Sequence, residues 1–95
     1  MKNRLPVQNA GDTEVCLFVE PYGEDFWMKP ADAFEVVPLS DGNVQFSVVI
    51  AGGLITVWLY EDGDPYNMIL DYEVVDANGK RLECGHQKPS DSDGA

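Results

Sequence analysis

Apart from methionine sulfur, this chain of 95 residues offers three soft metal ligands: Cys16, Cys84 and His86. In Cys84-Gly85-His86 the ligand residues are one residue apart, so on an extended strand both side chains fall on one face. A nearby carboxylate could then complete a tetrahedral Zn²⁺ site. The pattern is incomplete, because zinc sites bring two close pairs of ligands and Cys16 has no such neighbour. A blue-copper centre needs two histidines beside the cysteine, and the chain has one. Packed thiols, with His86 in a hydrogen bond at a strand end, account for the same residues without a metal, and no cofactor is expected.

The carboxylates invite two further readings. Glu61, Asp62 and Asp64 present hard oxygens of the kind Ca²⁺ prefers, yet they lack the loop spacing and terminal glutamate of a helix-loop-helix site, so they read as a charged turn. Glu20, Glu24 and Asp25 beside Tyr22 and Trp27 resemble the paired acids that act on a sugar. A domain this small seldom encloses a substrate, and no Ser or Cys has a neighbouring base, so no enzymatic activity is expected. The net charge is −11, and from Pro30 to Gly79 there are nine acids and no Lys or Arg. Such a surface repels phosphate, which disfavours nucleic acid and anionic membranes as partners and leaves basic proteins, cations and neutral ligands.

Short strands must position these groups. Runs rich in β-branched and aromatic residues alternate with clusters of Gly, Pro, Asn and Asp, and no segment shows a helical period. Strands are expected at residues 5–8, 14–20, 25–29, 33–37, 44–50, 54–60, 67–75 and 80–84. This spacing predicts an all-β fold, a small antiparallel β-sandwich of about eight strands, with a small β-barrel as the alternative. One domain spans residues 1–89, and residues 90–95 read as a disordered polar tail.

Two hairpins have a readable register. A two-residue turn at Gly52-Gly53 sets Ile50 against Ile55, Val48 against Val57 and Phe46 against Leu59 on a core face. The other face then carries Val49 with Thr56, Ser47 with Trp58 and Gln45 with Tyr60. Either the N-terminal segment or the other sheet covers this face, or Gln45, Ser47, Trp58 and Tyr60 are the expected interaction surface, suited to self-association, to docking another protein or to a sugar ring. A type I turn with a Gly bulge at Asp76-Ala77-Asn78-Gly79 sets Val74 against Leu82 and Tyr72 against Cys84. That register buries Cys84 on a core face with Met68, Leu70, Tyr72 and Val74.

Met1-Lys2-Asn3-Arg4-Leu5-Pro6 opens with basic residues but leads into no apolar signal core, and no segment approaches the length of a membrane span. A cytoplasmic protein with two free thiols is expected.

The segment Leu17-Phe18-Val19-Glu20-Pro21-Tyr22-Gly23-Glu24-Asp25, followed by Met28-Lys29-Pro30, Phe34-Glu35-Val36-Val37 and Cys84-Gly85-His86, carries a resemblance. Between about Val15 and Pro89 the chain resembles a group of small, mostly uncharacterised bacterial proteins. These share a Glu-Pro-aromatic-Gly turn, a Pro-led strand and a Cys-Gly-His near the C-terminus. The resemblance implies no activity. The strand-turn rhythm is also similar to small cupredoxin-like sandwiches, but the copper ligands do not match, so only architecture is implied. Two functional readings follow: a non-enzymatic β-sandwich acting through an interaction surface, or a small metal-binding protein using Cys16, Cys84 and His86.

Overall fold

The computed structural model describes residues 3–89, so the expected tail at 90–95 lies outside the described residues. Eight strands form two open sheets with no helix among the described residues, a sandwich rather than a closed barrel. In chain order they are β1 (Leu5–Gln8), β2 (Val15–Glu20), β3 (Glu24–Met28), β4 (Ala33–Pro38), β5 (Val44–Ala51), β6 (Leu54–Glu61), β7 (Asp64–Met68) and β8 (Tyr72–Asp76). The smaller sheet has the order β1-β4-β8 and the larger β3-β2-β6-β5. In the larger sheet β2 runs parallel to β6, the one parallel pair among the described strands. β7 joins β6 through Tyr60 and Glu61, in line with β2 and beyond its end, because β5 occupies the other side of β6 along its whole length.

The core fills the space between the sheets. Leu17, Val19, Phe26, Met28, Val57 and Leu59 from the larger sheet meet Phe34, Val36 and Val74 from the smaller, with Leu82 added from beyond β8. Strand alternation explains the choice: Leu17 and Val19 turn inward, whereas Cys16 and Phe18 turn to the far side.

The β5–β6 register is the one expected, with Ile50 opposite Ile55, Val48 opposite Val57 and Phe46 opposite Leu59. Gly52 has φ +59° and Gly53 does not have a positive φ, as a type II′ turn requires. The extent of the core differs from expectation. Val48 is 44% exposed and Ile50 70% exposed, although both point to the inner side. Ser47 to Ala51 is exposed throughout. A three-stranded sheet is too narrow to cover a five-stranded one, so the outer half of this edge strand extends past its cover.

The expected strand at 67–75 is two strands in different sheets. Ile69 is buried and donates its N–H to the Leu59 carbonyl at 2.9 Å, while Met68 and Leu70 are exposed. Crossing from one sheet to the other shifts the inward phase by one residue. The turn at Asp76 to Gly79 forms as expected: Gly79 N–H donates to the Asp76 carbonyl at 2.9 Å, Gly79 has φ +81°, and Leu82 N–H reaches the Val74 carbonyl at 2.8 Å. The expected strand at 80–84 does not form. Only an isolated bridge, Val75 to Arg81, continues β8. Beyond Leu82 the chain leaves for the larger sheet, where Gly85 N–H donates to the Asp25 carbonyl at 2.6 Å and His86 accepts from Trp27 N–H at 2.9 Å.

Candidate functional site: the outer face of the larger sheet

The residues that alternate away from the core line up across four strands. Register places Cys16 beside Trp27 and Leu54, Phe18 beside Asp25 and Thr56, and Glu20 beside Trp58; Trp58 pairs with Ser47 and Tyr60 with Gln45. Among the described residues no other strand layer covers this side. Phe18, Trp27, Trp58 and Tyr60 are each half-buried on this side. The four residues expected as an interaction surface thus share one side of the sheet, away from the core. Gln45 has a structural task as well: its Oε1 accepts from Gly63 N–H at 2.9 Å and pins the β6–β7 turn.

Two open hollows mark this face. One, of about 320 Å³, is lined by Ser47, Trp58, Tyr60 and Pro65. The other, of about 490 Å³, is bounded by Cys16, Phe18, Asp25, Trp27, Leu54 and Lys88. The second half of the face was not legible in the sequence, because both alternating sets of β2 are apolar and the parallel pairing with β6 joins residues about forty positions apart. Glu20 and Asp25 lie on this face, with Lys88 beside Asp25 at the second hollow, and the β6–β7 turn that follows Tyr60 carries Asp62 and Asp64.

The soft ligands do not converge. Cys16 is buried beneath the face, Cys84 is exposed, and the His86 ring packs edge-on against Phe34 with centroids 5.6 Å apart. The expected common face for Cys84 and His86 required an extended strand. Gly85 has φ +85° in a turn, which sends the two side chains in different directions. No group of three His, Cys, Asp or Glu that could hold a metal occurs among the described residues. The expected burial of Cys84 fails for the same reason: with no strand to carry it into the core, its thiol reaches Asp25 Oδ1 at 3.5 Å on the surface. The Tyr72 hydroxyl instead donates to Glu24 Oε1. Burial, and then the Glu24 carboxylate, push the Tyr72 phenol far above its ordinary range.

Asp25 is the organising carboxylate of this region. Its Oδ2 accepts from the Trp27 indole N–H at 2.8 Å, and this bond, helped by the Cys84 thiol and the Lys88 charge, holds its pKa below the usual aspartate range. Burial, followed by the Asp25 and Glu14 charges, pushes the Cys16 thiol up and makes it a poor nucleophile. A depressed carboxylate pKa stabilises the fold fully above the unfolded value, about 3.9, and that contribution is lost as pH falls through the lower folded value. Asp25→Asn keeps an oxygen for the indole but cannot titrate. Denaturant midpoints measured from about pH 5 to about pH 2 should therefore fall less steeply for the variant than for the wild type. Parallel curves would rule out this role for Asp25.

No helix among the described residues is long and apolar enough to cross a membrane. Compared with protein-family models, with curated proteins and with solved structures, the chain matches none of them.

Proposed function

We propose that this protein is a non-enzymatic, cytoplasmic docking module that binds another protein through the outer face of its larger sheet. The observation that carries this reading is the row of Phe18, Trp27, Trp58 and Tyr60 on a side that no other described strand covers, with the carboxylates Glu20 and Asp25 on the same face. Aromatic rings bury large area at little entropic cost and are typical anchors of protein interfaces. Glu20 and Asp25, in a chain of net charge −11, favour a partner whose contact surface carries Lys or Arg around an apolar centre, and that charge disfavours nucleic acid and anionic membranes. A metal-binding role has no converging ligands to support it.

The test is Trp58→Ala. Trp58 sits on the sheet without entering the core, so the substitution should cost about 1–2 kcal/mol of stability, a lost cross-strand pair together with part of the ring's burial and less than a core truncation. Partners captured by the wild type and identified by mass spectrometry should bind the purified variant at least about tenfold more weakly, and wild-type binding should weaken as salt is raised. A core-sized loss of stability with unchanged partner affinity would remove this face as the site.

A further inference from the structure

We infer that β5 is a dimer edge, at which two copies of this chain pair their β5 strands antiparallel about a two-fold axis near Val48 and join their larger sheets into one. Among the described strands β5 pairs with β6 alone, and on its open side the Val44 carbonyl, beyond the proposed pairing, accepts from Asn3 Nδ2 at 2.6 Å. In a two-residue hairpin the Ala51–Leu54 pair is hydrogen-bonded, and pairs alternate from there. The N–H and C=O groups of Phe46, Val48 and Ile50 therefore point away from β6. They form a ready strand-pairing template.

Each of the other sheet edges is blocked. β1 carries Pro6, β7 carries Pro65, β3 is capped by Gly85 and His86, and β8 is capped by Arg81 and Leu82. Edge strands are ordinarily protected by such prolines, by charges or by bulges. β5 has none of these: no charged residue or proline occurs from Gly42 to Tyr60, in a chain with 17 acids and 6 bases, and its pairing with β6 runs without a bulge. Val48, Val49 and Ile50 are also 44%, 56% and 70% exposed, so apolar surface flanks the bare backbone on both sides of the sheet.

Charge identifies the occupant as a second copy. Two chains of net charge −11 repel unless they meet where neither carries charge, and the segment between Asp41 and Glu61 is such a place. Antiparallel pairing also sets the acidic open end of one hairpin, with Asp41, Glu61 and Asp62, beside the Gly52-Gly53 tip of the other. A parallel arrangement would stack acid on acid. With Val48 on the axis, Phe46 lies opposite Ile50 of the second copy on the inner side and Ser47 opposite its Val49 on the outer side. The exposed valines and isoleucine are covered, and the aromatic face continues across both copies.

The interface is strand-sized, so the dimer is weak and concentration-dependent. Sedimentation velocity across about 1–500 µM should show the mass doubling, with association strengthened by added salt, the opposite of the behaviour expected for a basic partner. Amide exchange should give the signature: protection at Phe46, Val48 and Ile50 rises at least about tenfold at high concentration, while Ser47 and Val49, already bonded to β6, do not change. Val48→Lys, which lowers the net negative charge yet places a cation on the edge, should remain monomeric throughout. Trp58→Ala should dimerise as the wild type does, which separates this edge from the docking face. A monomer at every concentration, a dimer that survives Val48→Lys, or a dimer whose outward β5 amides stay unprotected would each overturn the inference. Should Val48→Lys fail to fold, the wild-type amide pattern decides by itself.

Discussion

Leu59→Ala is expected to destabilise the protein by about 3–5 kcal/mol, although Trp58→Ala, one residue earlier on the same strand, costs about 1–2 kcal/mol. Leu59 is 1% exposed and packs in the cluster formed by both sheets. Removing its side chain loses the transfer free energy of three carbons and leaves a cavity that two rigid sheets cannot close. Total stability for a domain of this size is about 5–15 kcal/mol, so this one change removes a large share of it. Urea unfolding of the two variants under one condition checks the prediction. Similar losses at both positions would mean that Trp58 is packed as a core residue, and the docking proposal would go with it.

The second large effect is expected at Asn9, the one buried polar side chain among the described residues. Its Nδ2 donates to the Thr13 carbonyl at 2.9 Å and to the Met28 carbonyl at 3.0 Å, and its Oδ1 accepts from Gly11 N–H at 3.0 Å. Its backbone is committed too, donating to the Asp32 carbonyl and accepting from Ala31 N–H, both at 2.9 Å. One residue thus ties the β1–β2 connection to the β3–β4 connection. Asn9→Ala leaves buried backbone groups without partners and should cost about 2–4 kcal/mol. Asn9→Asp should be worse: a carboxylate keeps the acceptor for Gly11 but turns an oxygen toward two carbonyl oxygens. Thermal or denaturant unfolding decides the order, and variants within about 0.5 kcal/mol of the wild type would show that the three bonds contribute little.

Asn9 also illustrates the reach of the sequence. Its place in a turn, Asn9-Ala10-Gly11-Asp12, was legible because Asn and Gly satisfy turn geometry locally. Its bond to Met28 was not, since nothing in the spacing says which distant carbonyl will face it. Trp58 and Tyr60 were legible as one side of a hairpin. Phe18, Cys16 and Leu54 were not placed beside them, because that requires knowing that β2 lies parallel to β6. Cys84 and His86 show the limit at shortest range: a separation of two residues fixes a common face only on an extended strand, and Gly85 at positive φ removes that premise.

What the sequence determined by itself is whatever a few consecutive residues can settle. The all-β class, the two-residue turn at Gly52-Gly53, the pairing of Val48 with Val57 and of Ser47 with Trp58, and the turn at Asp76 to Gly79 all follow from a period of two interrupted by residues with special backbone freedom. The tertiary structure decided which of those faces is covered, and how far. Val48 and Val57 share a side and a register, yet Val57 is fully buried and Val48 is 44% exposed, because the three-stranded sheet ends between them. Alternation assigns a side chain to a side of its own sheet, whereas burial depends on what the rest of the chain lays against that side.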